Sequence, residues 1–89
     1  MLVEIIYSRD ALRQLKKLSP TVAKRIIIKI TANANQENPL VRAKTLQGRL
    51  AGKYRYRIGD YRVIFKIDDS GKVRVLMVLA IKHRKDVYK

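Results

Sequence analysis

Lys53-Tyr54-Arg55-Tyr56-Arg57-Ile58-Gly59-Asp60-Tyr61-Arg62-Val63-Ile64-Phe65 is the stretch whose reading decides the fold. It alternates with period two on both sides of Gly59-Asp60, and side chains alternate faces along a strand, so it reads as a tight two-stranded hairpin. Glycine first in a two-residue loop suits a type II′ turn. Such a loop sets Ile58 opposite Tyr61, Tyr56 opposite Val63 and Tyr54 opposite Phe65, giving one face an aromatic and aliphatic surface fit for a core. On the other face Arg57 lies opposite Arg62, with Arg55 two residues away.

Like charges directly opposite each other on one sheet face are destabilising. Three guanidiniums gathered on a short ribbon suit a phosphate-rich ligand, because each offers a planar fork of donors that stays charged at any working pH. The alternative is a solvated polar face on which these arginines, Arg62 included, stand exposed in water.

The composition favours the anion site. Among 89 residues, Lys and Arg outnumber Asp and Glu by 21 to 7, for a formal net charge of +14. A field of that sign attracts polyanions, nucleic acid first and an acidic protein second. A membrane surface fits less well, because the basic residues are spread over helices and strands instead of flanking one apolar stripe. There is no cysteine and one histidine, so neither a disulfide framework nor a cysteine- or histidine-based metal site is expected, and no cofactor is implied. No apolar run reaches the ~18 residues that span a bilayer, and Met1-Leu2-Val3-Glu4 lacks the features of a signal peptide. The expectation is a single domain over residues 1–89, soluble and cytoplasmic.

Outward from the hairpin, the chain reads as an α+β domain. Leu2 to Tyr7 is rich in β-branched and aromatic residues and reads as a strand. Ser8 caps a short amphipathic helix carrying Ala11, Leu12, Leu15 and Leu18. Ser19-Pro20 ends it and starts a second helix, with Val22, Ala23, Ile26, Ile27, Ile30 and Ala34 on its apolar side. Asn33, Asn35 and Asn38 before Pro39 mark its end. Leu40 to Gly52 reads as a connector anchored by Leu46 and Leu50, whose charges Arg42, Lys44 and Arg49 are all positive. After the hairpin, Asp68 to Gly71 forms a turn, and Val73 to Ile81 reads as a central strand buried on both faces. Leu76, Val78 and Ala80 share one of those faces. The order β-α-α-β-β-β implies a helical hairpin on one side of a curved, largely antiparallel four-stranded sheet.

The segment Ile81 to Lys89 leaves the sheet as a polar, basic tail with His83 and Tyr88. A lone histidine is more often structural than catalytic, and a tyrosine near a terminus often only staples that end to the core. Together, however, the hairpin and His83-Arg84 with Tyr88 resemble the RelE/ParE superfamily of toxins from bacterial and archaeal toxin–antitoxin pairs. The resemblance extends over the first strand, the helices and Leu46-Gln47-Gly48.

That resemblance implies a ribosome-dependent endoribonuclease that cuts messenger RNA in the decoding site, the 2′-hydroxyl attacking the adjacent phosphate without a metal. Arg55 and Arg57 match positions where RelE-like toxins carry basic residues, and Arg62 matches the arginine that contacts the scissile phosphate. Tyr88 matches a tyrosine that stacks on or orients the cut base, and it is a candidate for assisting proton transfer. Lys82, His83 and Arg84 compete for the place of the acid. Histidine titrates nearest neutrality, and arginine rarely loses its proton. Neither Glu4 nor Glu37 matches the glutamate some relatives use, so the base stays open. Candidate catalytic residues are thus Arg57, Arg62, His83, Arg84 and Tyr88. Candidate RNA contacts are Lys53, Arg55, Lys82, Arg49 and Lys44, although any one of the connector residues taken alone reads first as part of a solvated loop.

The chain is expected to stop too soon after Tyr88 for the extra helix of some relatives, leaving the tyrosine on a frayed end for a partner to order. Expected partners are the ribosome with its message and a cognate antitoxin, at least partly acidic, that folds onto the sheet and helices. Promoter DNA would be reached through the antitoxin. Two alternatives stand beside the nuclease: a ParE-like inhibitor of DNA gyrase, and a non-catalytic nucleic-acid-binding partner in a repressor complex.

Overall fold

The structure, a computed structural model, describes residues 1–87. In chain order its elements are β1 (Leu2–Tyr7), α1 (Arg9–Lys16), α2 (Pro20–Ala34), β2 (Ala43–Thr45), a 3-10 turn (Gly48–Leu50), β3 (Tyr54–Ile58), β4 (Tyr61–Asp69), β5 (Val73–His83) and α3 (Arg84–Val87). The five strands form one sheet in the order β1-β5-β4-β3-β2, antiparallel except where β1 runs parallel to β5.

The hairpin has the register its alternation predicts: Ile58 pairs with Tyr61, Arg57 with Arg62, Tyr56 with Val63 and Tyr54 with Phe65. Gly59 takes φ +56°, and Asp60 is not among the positive-φ residues, as a type II′ turn requires. Tyr56, Val63 and Phe65 therefore face the helices, fully buried with Leu76 and Val78 of β5. Tyr56 stacks on Phe65 at 4.2 Å between ring centroids. Ala11 and Leu15 of α1 and Ile26, Ile30 and Ala34 of α2 close this core from one side. Ser8 and Ser19 cap the two helices, their hydroxyls accepting from the Ala11 and Val22 amides.

Three features depart from the sequence expectation. The sheet has five strands, because Ala43–Thr45 of the connector pairs antiparallel with β3. Three residues are too few to show a period, and only the free edge of β3 makes them a strand. Leu50 is 38% exposed and anchors little. Secondly, β5 lies beside the edge strand β1, with β4 at the centre of the sheet. The helices cover only one face, so Val75, Met77 and Leu79 are half-buried where full burial on both faces was expected. Ile64 pairs with Ala80 but Phe65 with Val78, so Leu79 has no counterpart and forms a bulge. Its carbonyl accepts from the Ser8 hydroxyl at 2.8 Å, and Gln14 Oε1 accepts from the Ile81 amide. The bulge restarts the alternation, so that Ile81 and not Ala80 enters the core. Thirdly, the start of the tail forms the short helix α3.

Arg74 of β5, 4% exposed, lies on the core side and locks α2 to the sheet. Its Nη1 donates to the carbonyls of Ala34 and Gln36, its Nη2 to that of Glu37, and its Nε to Asp69 at 2.7 Å. A helix C-terminus leaves its last carbonyls without partners, and a cation there is doubly suited to them. The Asp69 carboxyl is held below its ordinary range, chiefly by its bond with Arg74 and then by the Gly71 amide. Nearby, the buried Tyr56 hydroxyl donates to Pro39 O at 2.6 Å. Burial pushes this phenol up to about 12, against a smaller opposing effect of the Arg74 charge.

Arg74→Met is expected to lower stability by about 3 kcal/mol in denaturant unfolding, since it strands Asp69 and three carbonyls together. A carboxyl whose folded pKa lies below its unfolded one stabilises the fold above the unfolded value and loses that effect as pH falls through the folded one. The unfolding midpoint should therefore drop below about pH 4, with a shallower drop in Asp69→Asn. Tyr56→Phe should cost about 1 kcal/mol, the worth of one buried hydrogen bond.

Candidate nucleic-acid interface

The face of the sheet away from the helices carries the charge. Lys44 pairs with Arg55 across β2 and β3, Arg57 with Arg62 across β3 and β4, and Arg62 with Lys82 across β4 and β5. Strand parity therefore puts all five cations on one side, in two neighbouring rows. Arg42, just before β2, joins Lys44, Arg55, Arg57 and Arg62 around a hollow of ≈ 190 Å³. Among the described residues, none of these six side chains forms an ion pair with a carboxylate.

Arg62 corrects the expectation of an exposed residue, being only 4% exposed. Its Nη1 donates to the carbonyls of Gly59 and Tyr61, both at 3.1 Å, so the hairpin turn that sets the register also holds this guanidinium. The sequence gives no sign of this, because the acceptors are main-chain atoms of the turn itself. Arg55 is half-buried, and its Nε has no hydrogen-bond partner among the described residues. Arg57 remains exposed. Crowding these cations without counter-charge is unfavourable in the isolated protein, and a bound anion would relieve it.

The remaining candidates lie elsewhere or at the margin. His83 belongs to the opposite face, where it pairs with Tyr61 and meets that ring edge-on at 5.3 Å. Its Nδ1 accepts from the Lys85 amide at 3.2 Å. Arg84 is exposed at the hairpin tip, its Nε 3.6 Å from Asp60 and its amide bonded to the Asp60 carbonyl. Arg49 is in the exposed 3-10 turn, and Lys53 just precedes β3. Neither lines the hollow. Tyr88 lies outside the described residues. Of the three competitors for the acid, the geometry brings only Lys82 to the arginine rows. Arg42 is the contributor that strand patterns do not single out, since the short β2 is what carries it there.

The same fold occurs in proteins of known class. The archaeal RelE–RelB complex of Pyrococcus horikoshii OT3 is similar at a TM-score of 0.72 and 25% identity, covering 94% of this chain and 97% of that one. The RelBE2 toxin–antitoxin complex of Mycobacterium tuberculosis is similar at a TM-score of 0.75 and 27% identity, covering 94% and 100%. Toxin RelG of Mycobacterium tuberculosis is 31% identical over 83 residues, 93% of this chain and 92% of that protein. Residues 5–88 match the model of the family described as the ParE toxin of the type II toxin–antitoxin system, parDE. With sequence and fold agreeing over nearly its whole length, the chain belongs to the RelE/ParE superfamily of type II toxin–antitoxin toxins.

Proposed function

We propose that the protein is a ribosome-dependent endoribonuclease that cuts messenger RNA and is restrained by a cognate antitoxin. The observation that carries this is the set of cations on the open face, without a carboxylate partner among the described residues and with Arg62 held by its own turn. Attack of a 2′-oxygen on the adjacent phosphorus forms a 2′,3′-cyclic phosphate, breaks the bond to the 5′-oxygen and leaves a 5′-hydroxyl. The phosphorane between them carries two negative charges, and donors already aimed at that charge lower the barrier. Arg57 and Arg62 are the clamp, Arg55 and Lys44 the neighbouring phosphate contacts, and Lys82 the proton donor to the departing 5′-oxygen.

The arginine rows hold no carboxylate or imidazole among the described residues, so the acceptor of the 2′-proton comes from the Tyr88 region or from the ribosome–message complex. A dependence on the ribosome is chemically expected on that account. RelG is named a toxin, and the RelBE2 and RelE–RelB structures are complexes with antitoxins, which supports an antitoxin partner here.

The description of the matching family as ParE favours a second reading, inhibition of DNA gyrase through the same fold. Cell-free translation of a defined message separates the two. New 5′ ends should appear within the message only when ribosomes are present, and Arg62→Ala and Arg62→Lys should each slow cutting by about 10²–10³. Near-UV and far-UV spectra check that the variants remain folded, since Arg62 is buried. Parent-level cutting by a folded variant would remove Arg62 from the reaction. Intact message together with blocked gyrase supercoiling would establish the second reading.

A further inference from the structure

A second basic hollow, of ≈ 690 Å³, lies between α2 and the end of the β3–β4 hairpin. Arg25, Lys29 and Asn33 line it from one side of α2, at helical spacings that stack them on a single face. Arg42 and Arg57 line it from the sheet side, and both also line the smaller hollow on the open face. The two hollows thus meet at these two guanidiniums. Arg25, Lys29, Arg42 and Arg57 are exposed, and none pairs with a carboxylate among the described residues.

We infer that this groove is a second phosphate-binding subsite, through which a single RNA strand continues from the open face, past Arg57, along α2. The inference rests on the nuclease reading and extends it from the scissile phosphate to the flanking nucleotides. Cations in the groove stand where successive backbone phosphates would pass, and the amides of Asn33 and Gln36 offer donors and acceptors to sugar hydroxyls and base edges. An acidic protein segment is the less favoured occupant. Helices that dock in grooves do so on apolar anchors, and this groove's apolar lining is only Ala32 and the already buried Ile58.

Binding of fluorescent 2′-O-methyl oligonucleotides tests it, because the blocked 2′-oxygen prevents cleavage and no ribosome is needed. A trimer is too short to occupy both hollows at once, whereas a ten-mer can follow the whole path, and on the proposed path the trimer's first site is the open face. The double variant Arg25→Ala/Lys29→Ala should bind the ten-mer about tenfold more weakly, with the salt dependence shallower by about 1.4, two contacts at about 0.7 each, and should bind the trimer as the parent does. Unchanged ten-mer binding overturns the inference. So does an equal loss for both lengths, which would show only diffuse charge. Poly-glutamate binding that needs Arg25 and Lys29 while RNA binding does not would assign the groove to an acidic protein. Arg55→Ala separates this inference from the reading beneath it: if it weakens neither oligonucleotide while the double variant weakens the ten-mer, the groove stands as a phosphate site, but the open-face site falls and the continuous path from it is overturned.

Discussion

The two-residue turn at Gly59-Asp60 is the constraint on which the rest depends. Side chains on a strand alternate with period two, so a slip of one residue would turn β4 over relative to β3, carrying Arg62 towards the helices and Phe65 out to water while Arg57 and Tyr56 kept their faces. Gly59 with its left-handed φ removes that freedom. The same turn supplies the carbonyls that hold Arg62. Register and site geometry therefore have one origin, and a change in the turn would reach both.

The two buried arginines show how differently one side chain can be used. Arg74 uses four of its five N–H donors, through Nε, Nη1 and Nη2, and has a carboxylate beside it. Arg62 is as deeply placed but engages only Nη1, with neutral carbonyls, and its nearest charged cross-strand neighbours are Arg57 and Lys82. The first arrangement is what stability requires. The second leaves positive charge ordered and uncompensated, which an anion-binding site needs and a structural arginine does not.

Much of this was legible in the sequence because the hairpin is strongly periodic and its turn is short. The caps at Ser8 and Ser19 and the apolar spacing of the helices were legible for the same reason. Features made by tertiary pairing were not. Ala43–Thr45 is a strand only against β3, and Arg62 is held by main-chain carbonyls of its own turn. The bulge at Leu79 matters most for the site. Uninterrupted alternation from Leu76 and Val78 would bring His83 to the open face and turn Lys82 towards the helices. One unpaired residue exchanges them, and no propensity marks Leu79 as that residue.

The parallel pairing of β1 with β5 joins residues some seventy positions apart, Ile5 beside Leu76 and Tyr7 beside Val78. Among the described residues β1, at the edge of the sheet, pairs with no strand but β5. During synthesis the first strand must wait, its edge and its apolar side uncovered, until residues 73–83 have been made, and only then can the sheet and the core close together. Because Lys82 arrives with that same strand, a growing chain acquires its fold and completes its cationic face in one late step.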